Sequence, residues 1–343
     1  MDAVTLTVNG AVYGGWKEIS ISRSIETIAG AFELSVSERW PGQAGRRAIA
    51  AGASARVAIG GETVIAGYVD DVEVSHDAES HEIAVRGRDA TGDLVDCSAP
   101  DEPGEWSGLT LDRIAAAIAG PFGIAVSAAA DLGEPFGTFA VQPGETAFEA
   151  IERAARMRAV LPLSDGKGGL VLTRAGRARA GVTLTPETIL SARGTYGARD
   201  RHSRYTVKGD SGDFGSWGGD AGAEASGTAS DPGIRRHRPL TVIAEDLAEG
   251  ISFADRALWE ANIRAGRARR VSITLAGWRY GDRLWRPNEL VRVENPALGV
   301  AAEMLIASVA FSLGPRGSLT ELGLVGARAF DLLPVADKEE IGW

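Results

Sequence analysis

The chain has 343 residues, about twice a typical domain length, so two to four domains are expected. Hydrophobic residues make up 44% and charged residues 24%, an ordinary globular composition that excludes a disordered protein. The formal net charge is -10, and residues 1–99 hold 15 Asp and Glu against 8 Lys and Arg. No third of the chain is basic, so the charge argues against a typical nucleic-acid-binding protein.

A single cysteine, Cys97, excludes an internal disulfide framework and a multi-cysteine zinc site, and it favours assembly in a reducing cytoplasm. The opening "MDAVTLTVNG" has no signal-peptide pattern, and no run of about 18 apolar residues occurs. We therefore expect neither conventional secretion nor stable membrane insertion.

Residues 1–99 are predicted to form a first β domain. The segments "VTLTVNG", "EISISRSIE" and "AFELSVSERW" alternate apolar and polar residues, as half-buried strands do. The segment "ARVAIGGETVIAGYVDDVEVS" predicts a hairpin that turns at Gly60-Gly61. About six antiparallel strands without helices favour a barrel or a sandwich.

Residues 100–180 are predicted to form a small α+β domain that follows the linker-like "SAPDEPGEWSG". One helix is expected over Leu109 to Ala119, before Gly120-Pro121. A second begins at Thr146, which is followed three residues later by Glu149, the capping-box spacing. A hairpin is expected at Asp165-Gly166.

Residues 181–343 are predicted to form a second β domain. Within it, the Gly- and Ser-rich residues 209–233 predict a mobile loop, because such a composition cannot repay the entropy of ordering. Residues 252–268, "SFADRALWEANIRAGRA", predict a helix with Ser252 at its N-cap. Strand alternation resumes at "RRVSITLAGW".

An internal repeat links the two β domains. The segment Gly67–Val95 can be laid on Met304–Leu333, so that both copies read as strand, polar turn and strand. The alignment places Val72 and Val74 on Val309 and Phe311, and Ile83 and Val85 on Leu322 and Leu324. The expected fold is therefore mainly β, with two similar domains flanking an inserted α+β domain.

Three candidate chemical sites have simpler interpretations. The string "GDSGD", Gly209 to Asp213, resembles the nucleophile region of chymotrypsin-like proteases, but a Gly-rich loop would not hold the rigid triad that this chemistry needs. The cluster "HDAESHE", His76 to Glu82, offers metal ligands but falls at a predicted turn. Asp70 and Asp71 are adjacent, so in a strand their carboxylates point to opposite faces. We predict no enzyme, no catalytic or metal residue and no cofactor.

The stretch "GWRYGDRLWRPNELVRVENP", residues 277–296, admits two interpretations. Aromatic rings interleaved with arginines are typical of a groove for single-stranded nucleic acid. The repeat instead places a strand end, a connection and a second strand here, and Trp and Arg are also favoured at subunit interfaces. We therefore assign a barrel rim or a subunit interface to five residues: Trp278, Arg279, Trp285, Arg286 and Pro287.

Long ordered blocks resemble the baseplate hub proteins of Mu-like contractile-tailed phages, the gpP-like tail proteins. They include "ADRALWEANIRAGRARRVSITLAGWRYGDRLWRPNELVRVENP", "LTELGLVGARAFDLL" and the opening "VTLTVNGAVYGGWKEISISRSIETIAGAFELSVSER". The resemblance implies tail-tube-like β-barrel domains and a homotrimer whose six barrels form a pseudo-sixfold ring. This ring would join the hexameric tail tube protein to the central spike protein and contact other baseplate proteins.

The resemblance also implies a virion protein of the tail baseplate, assembled in the host bacterial cytoplasm. If the acidic residues 1–99 line the lumen, DNA would pass through without specific binding, because like charges repel. An alternative is a peptidoglycan-binding or peptidoglycan-degrading tail protein, since "SGLTLDRIAAAIAGPFGIAVSAA" resembles the helix of a LysM module. A nucleic-acid-binding barrel of the OB type is a further alternative, against which the acidic balance argues.

Overall fold

Strands dominate the first part of the chain. The computed structural model describes residues 2–37, 49–77, 81–176, 178–209, 226–244 and 252–332. The Gly60-Gly61 turn forms as predicted, with positive φ angles of 57° and 83°. The first strands are β1 (Val4–Val8), β2 (Ala11–Tyr13), β3 (Glu18–Ser24), β4 (Ala31–Ser37), β5 (Ser54–Ile59), β6 (Glu62–His76) and β7 (His81–Asp89).

The middle of the chain forms an α+β unit with its own core. The predicted capping box is confirmed: Thr146 Oγ1 accepts from the Glu149 amide at 3.1 Å, and the Glu149 carboxylate accepts from the Thr146 amide at 2.8 Å. Its elements are α1 (Gly92–Asp96), β8 (Glu105–Ser107), α2 (Leu111–Ala119), a 3-10 turn (Gly120–Phe122), β9 (Val126–Ala128), β10 (Thr138–Ala140), α3 (Ala147–Met157), β11 (Leu161–Ser164) and β12 (Leu170–Thr173).

The last part of the chain returns to strands around one long helix, α4, which begins and ends within a residue of the predicted helix. Its N-cap is Ser252, whose Oγ accepts from the Asp255 amide at 3.1 Å. The elements are β13 (Ala178–Leu184), β14 (Ser191–Tyr196), β15 (Arg204–Gly209), β16 (Ser226–Ser230), β17 (Pro239–Ala244), α4 (Phe253–Arg267), β18 (Arg269–Ala276), β19 (Arg279–Tyr280), β20 (Arg283–Leu284), β21 (Glu289–Asn295), a 3-10 turn (Pro296–Leu298), β22 (Val300–Gly314) and β23 (Gly317–Gly326).

The mobile loop predicted at residues 209–233 is wrong in its second part. Residues 210–225 lie outside the described residues, but β16 pairs antiparallel with β15, which also pairs with β17. Small residues suit this strand because it packs closely on α4: a Cβ at Gly227 would stand 2.1 Å from the Ala254 nitrogen. Packing on a helix stabilises a strand whose composition alone predicts a loop.

One sheet of thirteen strands joins the two β parts of the chain. On one side of β22, residues 300–305 pair with β21 and residues 308–313 pair with β3. The strand order runs β14-β18-β23-β22-β3-β4-β7-β6-β5-β1-β2, with β21 and β13 branching from β22. Among the described residues this order does not close on itself, so the two predicted closed barrels are not found within a single chain.

The main apolar core lies against this sheet and draws residues from both ends of the chain. Leu6, Ile21 and Leu34 from the first part belong to the same cluster as Val309 and Phe311 from the last. The middle unit has a separate core, built mainly from α2 and α3, and this core includes Leu94 and Ala99. The predicted domain boundary at residue 180 falls inside β13, which pairs with β21.

Candidate assembly surface

The two tryptophans of the 277–296 stretch lie inside the protein. Trp278 and Trp285 are each 4% exposed and belong to the main core. Trp278 Nε1 donates to the Ser312 carbonyl oxygen at 3.0 Å, and the Trp285 ring centroid lies 4.2 Å from that of Tyr280. Neither indole is available to stack on a nucleic-acid base. This burial argues against the interpretation of the stretch as a groove for single-stranded nucleic acid.

Tyr280 covers Trp285 and is itself held by a buried acid. Its hydroxyl donates to Glu289 Oε2 at 3.0 Å, while Arg283 donates to Glu289 Oε1 at 2.7 Å. Burial, followed by the nearby Glu289 carboxylate, raises the pKa of Tyr280 to about 12. The hydroxyl therefore stays protonated at neutral pH and acts as a donor.

Arg279 connects the last part of the chain to the first. Its Nε donates to Asp2 Oδ2 at 2.6 Å, and its terminal nitrogens reach the carbonyl oxygens of Asp282 at 2.5 Å and Ile59 at 3.4 Å. A second carboxylate, that of Glu62, lies 3.6 Å from the guanidinium. The side chain is 23% exposed, so these charged contacts are only partly screened by water.

Arg286 makes the same connection nearer the surface. It donates to Glu62 Oε1 at 2.7 Å, and its side chain is 50% exposed. Pro287 is half-buried beside it. We name Asp2, Glu62, Arg279 and Arg286 the inter-part seam. Arg279 and Arg286 already contact carboxylates of the same chain. Their positive charges are therefore explained without a bound nucleic acid.

The face of the sheet away from the core is lined by small and polar side chains. Arg86 donates to Glu33 at 2.9 Å and to Glu73 at 3.0 Å, and Glu321 accepts from the Ser272 hydroxyl at 2.7 Å. We name this surface the serine-rich face. It comprises Ser20, Ser22, Glu33, Ser35, Glu73, Ser75, Ala84, Arg86, Ser272, Ser308, Ala310, Ser312 and Glu321, all half-buried or exposed. The half-buried Leu319 lies opposite Ser312 on the same face, which is otherwise small and polar at these positions.

A polar junction joins the first β part to the middle unit. Arg23 donates to the Ser164 carbonyl oxygen at 3.2 Å, and burial lowers its pKa. The neighbouring Asp89 is 2% exposed, and it accepts from the Gly30 amide at 2.6 Å and the Thr91 amide at 2.9 Å. Arg23 and Asp89 both have partners within the chain, so we assign the junction a structural role.

The other candidate sites from the sequence do not form a catalytic or metal-binding arrangement among the described residues. His76 and His81 lie opposite each other at the end of the β6–β7 hairpin, but the part of the chain that the structure describes contains no cluster of three or more His, Cys, Asp or Glu suited to a metal. Most of "GDSGD" lies outside the described residues. Asp70 forms an ion pair with Arg88 at 2.9 Å. No described helix is long and apolar enough to cross a membrane.

Family models cover three parts of the chain. Residues 3–89 match the N-terminal part of Mu phage baseplate assembly protein GpP-like, and residues 91–174 match the second domain of baseplate hub protein gp44-like. Residues 251–333 match the fourth domain of Mu phage baseplate assembly protein GpP. The fold and these matches define the chain as a phage tail protein.

Two comparisons cover nearly the whole chain. Baseplate hub protein gp44 of Escherichia phage Mu is 34% identical over 97% of this chain and 90% of its own length. The crystal structure of the 43 kDa tail protein of prophage MuSo2 from Shewanella oneidensis is 36% identical, with a TM-score of 0.85 over 98% of this chain and 100% of that one. The chain therefore belongs to the baseplate hub protein family of Mu-like phages, as the resemblance in the sequence indicates.

A more distant structure shares the fold. The tail protein from Neisseria meningitidis MC58 is 23% identical and has a TM-score of 0.77 over 96% of this chain and 99% of that one. The names of the relatives describe a structural baseplate hub rather than an enzyme.

Sequence patterns did not reveal Asp2 and Glu62 as the partners of Arg279 and Arg286, because no local signal connects residues more than 200 positions apart.

Proposed function

We propose that this protein is the hub subunit of a contractile phage or prophage tail baseplate. Three copies form a ring with pseudo-sixfold symmetry, which joins the hexameric tail tube to the trimeric central spike. The observation that carries the proposal is the β22–β3 pairing, which sets the two β parts of one chain edge to edge in a continuous sheet. Each chain therefore contributes two adjacent β units. In a ring of such chains the repeating element is the β unit rather than the whole chain.

The stoichiometry follows from matching symmetries. A hexameric tube presents six equal contacts, whereas a trimeric spike presents three. Three chains with two similar units each offer six near-equivalent contacts on one side and three chain-specific ones on the other. The seam formed by Asp2, Glu62, Arg279 and Arg286 supports this role because it fixes the relative position of the two units within each copy.

The serine-rich face lines the passage through the ring in this proposal. Its small neutral side chains carry no charge that attracts phosphates, and Arg86 is held between Glu33 and Glu73. The excess of 15 acidic over 8 basic residues in positions 1–99 adds repulsion of phosphates. DNA would therefore slide through without specific binding.

Solution mass tests the trimer, and the expected value is three times 35.8 kDa, about 107 kDa. Mass photometry over a dilution series gives the value directly, and a monomer at every concentration would contradict the proposal. Adding purified tail tube protein to the trimer should give a larger complex on size exclusion. A trimer that binds neither tube nor spike protein would refute the joining role while leaving the ring intact.

The peptidoglycan alternative gains no support from the middle unit. The LysM-like helix start consists of Thr110, which is the N-cap of α2, and Leu111, which is fully buried. Thr146 has its capping box. Leu111 and the Thr146 cap therefore serve the fold of the unit, and the Thr110 hydroxyl donates to the Asp112 carboxylate rather than capping a helix amide. Sedimentation with purified peptidoglycan should leave the protein in the supernatant, and co-sedimentation would revive the alternative.

A further inference from the structure

A small cavity of about 230 Å³ lies where the three parts of the chain meet. One cationic residue from each part lines it: Arg23 on β3, Lys167 in the β11–β12 turn and Arg286 just before β21. Cavities for drug-sized ligands have about 300–1,000 Å³, so this one suits a smaller molecule or an ion. The polar junction of Arg23 and Asp89 forms part of its wall.

The guanidinium group of Arg23 is only partly used by the protein. One terminal nitrogen, Nη2, donates to the Ser164 carbonyl oxygen at 3.2 Å, and this is the only side-chain hydrogen bond of Arg23 among the described residues. No carboxylate of the described ranges forms an ion pair with it. Its Nε and Nη1 atoms therefore have no partner there, and both stay accessible to solvent. Because a guanidinium group carries five N–H donors, most of them are free for a ligand.

Two glycines hold the Arg23 side chain in place. Gly166 has a φ of 74°, and a Cβ added to it would stand 2.6 Å from Arg23 Cζ, so glycine is required under the guanidinium group. A Cβ added to Gly30 would stand 3.2 Å from Arg23 Cγ. The side chain is therefore confined between two backbone segments. A ligand would find it already ordered and would lose little affinity to immobilising it.

The other two cations also have unused donors. Asp165 fixes the turn that carries Lys167, because its Oδ1 accepts from the Lys167 amide at 2.6 Å and from the Gly169 amide at 2.9 Å. The exposed ammonium group of Lys167 has no hydrogen bond or ion pair in the part of the chain that the structure describes. Arg286 uses one terminal nitrogen, which donates to Glu62 at 2.7 Å. All three cations can therefore donate further hydrogen bonds.

The carboxylates around the cavity are already engaged. Asp89 and Asp165 each accept from two backbone amides. Glu62 accepts from Arg286 within the inter-part seam. Burial lowers the pKa of Arg23, whereas the charges of Asp89 and Asp165 act in the opposite direction. A poorly hydrated charge without a direct ion-pair partner is stabilised when a counter-ion binds to it.

We propose that the cavity binds one small tetrahedral oxyanion of the phosphate class, contacted by Arg23, Lys167 and Arg286. We name it the junction anion site. Cations from three separate elements need at least three acceptor oxygens, and a tetrahedral anion offers four whereas a carboxylate offers two. The bound ion is a structural ligand that connects the first β part, the middle unit and the last part of the chain. This inference does not depend on the proposed function.

The junction anion site lies away from the proposed DNA passage. Arg23 pairs with Val309, which is 1% exposed, so its side chain lies on the core side of the sheet. Its neighbour Ser22 belongs to the serine-rich face on the other side. The ligand is therefore a free anion from solution rather than a phosphate of DNA. We expect a dissociation constant of about 1 mM, because the carboxylates in the wall repel an anion.

Thermal unfolding of the full chain tests the site. At constant ionic strength, replacing chloride by about 20 mM phosphate should raise the melting temperature by about 2–4 °C through binding. Phosphate also stabilises proteins by exclusion from their surface, so the readout is the difference between variants. Arg23→Gln and Lys167→Gln should lose this part of the rise. Lys17→Gln, at an exposed lysine just before β3, is the matched control and should keep it.

Titration calorimetry measures the ligand class. Phosphate should bind at one site per chain, and Lys167→Gln should weaken binding by about fivefold, as expected for one exposed charged contact. Acetate and a DNA oligonucleotide at the same concentration should not displace phosphate. Displacement by acetate would indicate a carboxylate ligand, and displacement by DNA would indicate a nucleic-acid ligand, so either result would overturn the proposal.

A crystal soaked in selenate locates the ion, because selenium scatters anomalously and selenate is tetrahedral. The anomalous peak should lie between Arg23 and Lys167. If Arg23→Gln does not fold, the surface variant Lys167→Gln still tests the site. An equal rise in melting temperature for Lys167→Gln and Lys17→Gln, or a selenate crystal with no peak in the cavity, would overturn the junction anion site and leave the proposed hub intact.

Discussion

Removal of Arg279 should loosen the connection between the two β parts of the chain. Arg279→Met keeps the aliphatic stem but removes the hydrogen bonds to Asp2 and to the Ile59 carbonyl oxygen. A hydrogen bond to a charged group contributes about 1.5–3 kcal/mol. The Asp2 side chain is 33% exposed and is hydrated by water after the change. We therefore expect the free energy of unfolding to fall by about 2 kcal/mol in all, near the lower end of this range.

Thermal unfolding by calorimetry or intrinsic fluorescence measures this loss. A change of 1 kcal/mol moves the melting temperature of a chain of 150–250 residues by about 2–4 °C, so a fall of roughly 4 °C is expected for this longer chain. Arg292→Met is the matched control, because Arg292 is 44% exposed and donates to Glu294 two residues along the same strand. The control should change stability by less than about 0.5 kcal/mol.

A double-mutant cycle with Asp2→Asn isolates the contact. The coupling energy between Asp2 and Arg279 should be about 1 kcal/mol, as expected for a partly buried charged pair. If Arg279→Met and Arg292→Met prove equally stable, or if the coupling is zero, the seam does not hold the two parts together.

Three further predictions concern other parts of the chain. Trp285→Ala should lower the free energy of unfolding by about 3–5 kcal/mol and reduce ring assembly, without changing the binding of DNA. Trp285→Phe should lose much less stability. Normal trimers from the alanine variant would contradict this prediction. Arg201 holds the pKa of Asp231 below its usual value, so their pair stabilises fully at neutral pH and is lost as pH falls through that lowered pKa. Asp231→Asn should therefore lose stability at pH 7 in denaturant titrations, and the loss should shrink as the pH falls through the lowered pKa of Asp231. Gly227→Ala should lower the melting temperature by several degrees, because the new Cβ meets the α4 backbone, while Gly137→Ala, with open space around it, should not.

Local patterns predicted the elements whose causes are local. The capping box at Thr146 and Glu149 and the two-glycine turn at Gly60-Gly61 form as their spacing indicates. Strand β16 was missed because Ser, Gly, Thr and Ala show no apolar alternation, and its pairing with β15 comes from packing on α4. The family resemblance depends on long ordered blocks, which the comparisons bear out over nearly the whole chain.

The candidate surface was harder to predict because its causes are non-local. Aromatic residues beside arginines suggest an exposed rim, yet Trp278 and Trp285 are buried. Their burial depends on strands that are distant in sequence, such as β22, which supplies the carbonyl oxygen for Trp278. The pairing of β22 with β3 joins positions almost 300 residues apart, and no periodicity in either strand encodes a partner.

The arrangement of the copies is the central claim, and electron microscopy of the purified protein tests it most directly. Face-on class averages should show a closed ring of three copies with six similar lobes around an open centre. The small polar side chains of the serine-rich face should line that centre at higher resolution. Rings with a number of lobes other than six, or particles no larger than one 35.8 kDa chain, would contradict the account.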